Sequence, residues 1–566
     1  MRLFAILLAT LAPTLTAAIV GTPAGHAASR TKVVRLPLPK YDGTLTPYTF
    51  ELGYPLVTLV YDTLLWRDSE GVPRPWLAQS VKRSDDGRRV TIRLRSGVRW
   101  HDGRPLTADD VAFTFDFVAR RFHPRFTPQL TDVSTVRATD RRTVTIELRR
   151  PSLGFDDQPL ADLPILPRHL WQRLPVGAAP PGPAVGSGPY RLTRARPRVG
   201  YRFLAYLGYF KGRPRVDRIS VPIIREESRT YTALRRRKVD MLPVSLPETA
   251  TKSLGGAFGI NIRSGPSYSG TALLLNLRRP PFNRTSARRA VASSLELGRI
   301  VRNVGPGSAA ERGYLHPESP WASRTRLHRF DLPAARRAFK QLRLSPIRVL
   351  APDNDPVRLE AGRQVALALR RAGAQAEMIE VPRARLGRSI GEDGSAANFD
   401  AAIVSTPPLA SQDPDFLRRV FGSDPRQAPL NYAGYRSRAF EGLADRVASA
   451  PNRGSRRRAA TAELRQLAQD LPVVPLFFSE GRFAYRPAIH DGWVFVKGAG
   501  ILDKQSFLGS RSPSPEPSRV EDEGNPDEPG SFLDILRVAS LAVLAIALLL
   551  GAAALLRRRT GDGSER

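Results

Sequence analysis

Two stretches in the first third of the chain alternate. In VKRSDDGRRVTIRLRSG (Val81 to Gly97) the apolar residues Val90, Ile92 and Leu94 take every second position. In VRATDRRTVTIELRRP (Val136 to Pro151) Val144, Ile146 and Leu148 do the same. A period of two predicts strands with one buried face, and the Asp-rich turn in each segment predicts a hairpin. Between them the period changes. Val111, Phe115 and Val118 recur at i, i+4 and i+7, the apolar stripe of a helix. Thr107 followed by Asp110 is close to capping-box spacing, with Asp in place of Glu or Gln. Asp109 and Asp110 fall in the first turn, where negative charge suits the helix dipole.

The later chain has a different character. IRVLAPDNDPVRLEAGRQVALALRRAGAQAEMIEV predicts a strand at Ile347 to Leu350, a helix at Pro356 to Arg371, a stop at Gly373 and a strand at Ala376 to Val381. FDAAIVS, from Phe399, adds another buried strand. This is a βαβ unit, so a parallel sheet with crossover helices. VVPLFFSEGRFAY, from Val473, reads as a late strand.

Both ends are apolar, in different ways. The first 28 residues combine Arg2, an apolar run and the small residues Ala24, Ala27 and Ala28, the pattern of a secretory signal. Val538 to Leu556 holds 19 residues without a charge. At about 1.5 Å per residue this just spans a hydrocarbon core of roughly 30 Å. Arg557, Arg558 and Arg559 follow, which puts that end in the cytoplasm. The expected topology is an external body on a single C-terminal span. Ser510 to Gly530, rich in Pro, Ser, Asp and Glu, reads as an extended stalk.

The formal net charge is +34, carried by 87 Lys and Arg against 53 Asp and Glu. Only 9 of the 87 are Lys, and the Arg is spread along the whole chain. That reads as GC-rich coding, not as a nucleic-acid interface, and no nucleic-acid partner is expected. Attraction to anionic surfaces or ligands stays open. The runs Arg235-Arg236-Arg237 and Arg456-Arg457-Arg458 read as solvated helix faces.

Composition also narrows the chemistry. With no cysteine, disulfides, thiolate nucleophiles and Cys-ligated metals are excluded. The seven His lie far apart, without HExxH or HxxxH spacing. No metal or cofactor is expected. His101-Asp102-Gly103 reads as the turn entering the helix. No GxSxG occurs, and Asp156-Asp157 lacks a paired acid/base context. A hydrolase is therefore the weakest reading, and no catalytic residue is assigned.

The segment SDDGRRVTIRLRSGVRWHDGRPLTADDVAFTFDFV resembles the hallmark region of the family 5 extracellular solute-binding proteins, the peptide, dipeptide and nickel receptors of ABC transporters. Further segments resemble that family in order: YDTLLWRDSEGVPRPWLAQS at Tyr61, GSGPYRL at Gly186, YLGYFKGRPRVDRISV at Tyr206, ALRRRKVDMLP at Ala233 and LLLNLRRPPFNRTSARRAVASSLELGRIV at Leu273. Together they cover about residues 33 to 500.

The resemblance implies an α/β fold of two lobes, of the type II periplasmic-binding-protein kind, with an extra subdomain on the first lobe. The expected layout is signal 1–28, lobe one 29–55, subdomain 56–184, lobe one 185–268, lobe two 269–477, return to lobe one 478–508, stalk 509–534, span 535–556 and tail 557–566. It implies capture by cleft closure, not catalysis, and delivery of a small solute, oligopeptide or related, to ABC permease subunits. The alternative is an anchored binding or scaffold protein that keeps the fold without transport. Tyr48, Tyr268, Gln412, Asp413, Asp415 and Asn431 fall in loops that face the cleft in the family, and are the expected ligand contacts. Peptide-binding members often carry an Asp ahead of an acidic-Pro turn for the ligand's amino group. Here Ala410 stands near that place, and Asp413 or Asp415 is the expected substitute.

Overall fold

The computed structural model describes residues 31–509, apart from 51–52, 176–177, 198, 343–344 and 407–412. The expected leader, span and tail, and the stalk beyond residue 509, lie outside the described residues. No helix among the described residues is long and apolar enough to cross a membrane.

Among the described residues, four sheets organise the body. The first runs β1 (Val33–Arg35), β10 (Arg218–Val221), β9 (Gly200–Ala205), β8 (Tyr190–Arg196). A small ribbon pairs β2 (Leu65–Arg67) with β3 (Pro73–Pro75). A third sheet has the order β4 (Ala78–Arg83), β5 (Arg89–Leu94), β7 (Thr143–Leu148), β6 (Val133–Asp140). The fourth runs β12 (Gly307–Ala309), β16 (Val473–Tyr485), β11 (Asn261–Leu275), β15 (Ala401–Thr406), β13 (Ile347–Pro352), β14 (Ala376–Val381).

The third sheet is the pair of hairpins that the period-two pattern predicts. Val90, Ile92, Leu94, Val144, Ile146 and Leu148 are all buried. The Ala108–Arg120 helix packs on that sheet and buries Val111, Phe115 and Val118. Its capping box is present: the Thr107 amide donates to Asp110 Oδ2 at 2.9 Å. His101 is structural, as expected. One ring nitrogen meets Gly188 O at 2.9 Å, and burial pushes its pKa down to about 4. The GSGPY turn is glycine-rich because the backbone passes too close to residues 59 and 60 for a side chain. A Cβ on Gly186 would stand 1.9 Å from Val60 O, and one on Gly188 2.4 Å from Leu59 O.

In the fourth sheet β13 and β14 are parallel, in register from Ile347↔Ala376 to Pro352↔Val381, and are joined by the Pro356–Arg371 helix. Asp355 caps that helix, accepting from the Arg358 amide at 2.9 Å. Gly373, at φ +88, follows its end. Leu273, Leu275, Val349 and Ile403 enter one core cluster, while Ala272, Leu274 and Ala402 enter another. Alternate residues of β11 and β15 thus feed two cores, one on each face, and the strands read as continuous apolar runs.

Strands β11 and β16 join the two regions. Their first-lobe halves pair from Asn261↔Tyr485 to Pro266↔Glu480, and their second-lobe halves from Gly270↔Phe478 onward, with an irregular step between. The last described segment returns to the first lobe. Lys504, fully buried, donates to Asp62 at 2.8 Å and lies 4.0 Å from the Trp66 ring.

One charge reading is overturned. Arg456 does not belong to a solvated face: it is 2 % exposed and bonds Asp413. Arg235, Arg236 and Arg237 are exposed.

Candidate functional site

A cleft of about 380 Å³ opens where β11 and β16 cross from one lobe to the other. Its first-lobe wall is the loop Pro243 to Pro247 together with Gly498, Ala499 and Gly500. Its second-lobe wall is Asn354 to Arg358 and Ser405, at the carboxyl ends of the parallel strands β13 and β15. Open α/β sheets bind ligands there, because the strand ends leave a crevice between connections. Ser267, Ser269, Phe477, Ser479 and Phe483 form the floor. A second recess of about 770 Å³ shares Glu248, Pro306 and Glu480 with it and extends to His316 and Glu318.

Most charges around the cleft are paired, while Glu227 lines it with, among the described residues, only the Tyr231 hydroxyl on its carboxylate. Asp355 Oδ2 holds Arg358 Nε at 2.8 Å. Arg482 binds Glu480 at 2.9 Å and also pairs with Glu248. Asn354 aside, the remaining walls are backbone, hydroxyl groups and apolar side chains, including the exposed Val244. Such a surface can hydrogen-bond a polar backbone and pack an apolar side chain. His316 is not poised as a base: its Nδ1 accepts from the Glu318 amide, its ring lies 4.6 Å from Tyr268, and burial pushes it down to about 4. Among the described residues no group of three His, Cys, Asp or Glu could hold a metal ion.

The expected ligand contacts scatter. Tyr268 lies at the irregular step of β11, at φ +35, buried against His316 and Gly498. Its neighbours Ser267 and Ser269 line the cleft; Tyr268 is one residue out of phase with them. Tyr48 packs in a first-lobe aromatic cluster, 5.5 Å from Phe117 and 5.3 Å from His123, and its hydroxyl donates to Arg121 O. It does not line the cleft. Asn431 is consumed by its own loop: its amide donates to Gly422 O and Tyr435 O, and its carbonyl accepts from the Tyr435 amide. Gln412 lies outside the described residues.

Asp413 and Asp415 sit elsewhere, at a seam where the two lobes touch. Asp413 takes both Nη atoms of Arg456, at 2.9 and 2.7 Å. It is committed to that guanidinium and is not open to a ligand's amine. A Cβ on Gly154, from the hairpin subdomain, would stand 2.6 Å from Arg456 Nη2 and 2.9 Å from Asp413 Oδ2. Arg419 donates to Gln158 Oε1 and Arg125 O, each at 3.0 Å. Arg150 reaches Asp445 at 2.9 Å. Burial pushes the Asp157 carboxyl up to about 7, raises Asp415, and puts the fully buried Glu463 well above the usual carboxylate range. Arg456, Arg419 and Glu463 carry no sequence signal for this role, since the side-chain partners Asp413 and Gln158 lie 43 and 261 positions away and Glu463 feels its charged neighbours only through space.

Residues 72–428 match the family described as bacterial extracellular solute-binding proteins, family 5 middle. The chain belongs to this family. It is 26 % identical over 275 residues to the dipeptide-binding protein of Escherichia coli (strain K12), covering 44 % of this chain and 50 % of that protein. The chain thus spans about half the length of this curated relative. Its fold matches that of the oligopeptide-binding protein AppA of Bacillus subtilis, solved with a nonapeptide, at TM-score 0.73 and 18 % identity, over 85 % of this chain and 99 % of that one. It also matches NikZ of Campylobacter jejuni, solved with Ni(L-His), at TM-score 0.70 and 20 % identity, over 81 % and 94 % of the two chains. The two-lobed periplasmic-binding-protein fold of this family is the fold seen here.

Proposed function

We propose that this family 5 member is the substrate-binding protein of an ABC transporter, that it captures a peptide-like solute between its lobes, and that it hands the solute to a permease. It performs no chemistry on its ligand. The observation that carries the reading is the cleft at the strand crossover, with mostly self-paired charges and walls rich in backbone and hydroxyl groups. Walls of that kind grip a peptide backbone while tolerating varied side chains. The likeness to a dipeptide-binding protein supports the same ligand class. With Asp413 held by Arg456, the amino terminus of a peptide finds no anchor there, so backbone contacts carry the affinity. The body stands outside the cell, and the apolar segment Val538 to Leu556 tethers it to the membrane.

Thermal melting of the full-length chain in detergent, screened against peptides of increasing length, nickel chelates and a cell extract, tests this. A ligand at 100 times its Kd adds about 2.7 kcal/mol, a visible rise in Tm. A shift with peptides supports the reading. A shift with chelates alone moves the ligand class to metal complexes. No shift with any of them, from folded protein, favours a scaffold without transport.

A further inference from the structure

The cleft does not use the most exposed apolar side chain among the described residues. Phe258 is 93 % exposed, well above Leu207 at 65 %. It stands on the loop Gly256, Ala257, Phe258, Gly259, just past the Glu248–Gly255 helix. Beside it the Glu227–Arg235 helix ends in the exposed run Arg235, Arg236, Arg237, Lys238. Arg486, 7 % exposed, clamps the two ends together. It donates to Leu234 O at 2.6 Å, Arg235 O at 3.1 Å and Gly259 O at 3.3 Å. Arg235 adds a bond to Ser253 O at 2.8 Å.

The helix ends are therefore already neutralised by Arg486 and Arg235, and the cations beyond them have no structural task. Arg236, Arg237 and Lys238 make no ion pair or side-chain hydrogen bond to any described residue. The nearby Asp240 is buried and held by Arg35 at 2.7 Å. The helices' own carboxylates, Glu227 and Glu248, sit in their first turns, at the opposite ends. A bare aromatic beside uncommitted cations is how proteins rest on a bilayer: the ring enters the acyl boundary and the cations meet lipid phosphates.

We propose that Phe258 with Arg236, Arg237 and Lys238 forms a docking face for an anionic phospholipid surface. The face lies apart from the cleft, and the proposal holds whether or not the C-terminal segment spans the membrane.

The chain has no cysteine, so Gly256→Cys carrying a polarity-sensitive fluorophore reports this loop alone. A Cβ at Gly256 meets open space at φ −90, so the change is tolerated. The labelled full-length chain is mixed with vesicles of phosphatidylcholine alone or with added phosphatidylglycerol. The expected result is a blue shift and a severalfold fall in iodide quenching with phosphatidylglycerol only, reversed by molar salt. Both signals vanish in the same labelled chain carrying Phe258→Ser, or Arg236→Glu, Arg237→Glu and Lys238→Glu together, with Tm unchanged. Identical emission in the two vesicle types overturns the proposal. So does a shift that survives the triple substitution, which would assign binding to the general positive charge. A shift seen only with native membranes, and not with lipid, would also overturn it and assign the face to a membrane protein.

Discussion

Asp413 and Arg456 form a bidentate ion pair, 2.9 and 2.7 Å, closed over by the backbone of Gly154 from the opposite lobe. Both side chains are nearly sealed from water. A pair of this kind orders the seam more than it stabilises it, because each charge had to leave water. Losing one partner is what costs.

Arg456→Met leaves a carboxylate buried without its partner. The expected loss is about 3–5 kcal/mol in chemical denaturation. Asp413→Leu added to Arg456→Met should recover most of it. If the double variant is no more stable than the single one, the pair is not the unit described here.

Gly154→Ala acts on contact and leaves the charges in place. The new methyl meets the guanidinium and carboxylate at 2.6 and 2.9 Å, inside van der Waals contact, and because those two groups are buried and bonded to each other the expected relief is a parting of the lobes. Small-angle scattering should show a larger radius of gyration than the parent, and ligand affinity should fall. An unchanged radius would mean that the subdomain backbone yields first.

The pH dependence has two limbs. Burial raises Asp157 to about 7, above its unfolded value of 3.8. The folded chain then holds the extra proton between those values, so stability falls as pH rises through that window, by at most about 1.4 kcal/mol per pH unit. Asp157→Asn should flatten that limb. Burial lowers His123 and His316 to about 4 from 6.5. Their contribution is complete above 6.5 and lost as pH falls towards 4. Melting temperatures from pH 4 to 8 for the parent, Asp157→Asn and His316→Phe separate the two limbs.

Lys504 is buried between Trp66 and Trp76, at 4.0 and 4.9 Å, with Asp62 as its counter-ion. Lys504→Met should cost about 3–5 kcal/mol and expose the chain after Gly500 to limited proteolysis. Trp76, Tyr209 and Ser187 also donate to Asp62, so the carboxylate keeps neutral partners. A cost near the lower bound is therefore expected.

Local rules made much of the fold legible. Thr107 and Asp110 marked a helix start, the helix from Pro356 was read with its flanking strands, and the apolar periods separated hairpins from the βαβ unit. The crossover was harder to see. The apolar run of β11 is confined to its last residues, and its first half, Asn261 to Ser267, looks like a loop until Tyr485 and its neighbours pair with it. The candidate site was least legible. Asp413 read as an acid open to a ligand, but nothing in a linear run of arginines separates Arg456, which turns inward and takes that carboxylate, from Arg457 and Arg458, which do not. Burial of a charge is decided by the partner across the fold, and periodicity does not encode the partner.

The pairing of β11 with β16 also sets an order of assembly. Every residue of the second lobe between these strands is translated after the first lobe has begun and before it can be finished. Asp62 then waits for Lys504, 442 positions later. The inserted lobe can reach its own core while the host lobe still lacks an edge of its structure. Closure of the host is a late, long-range event, slow by the entropy of the loop it must close. Until it happens the early hairpins stand with unfinished neighbours, and that interval is when this chain is most exposed to proteases and to aggregation.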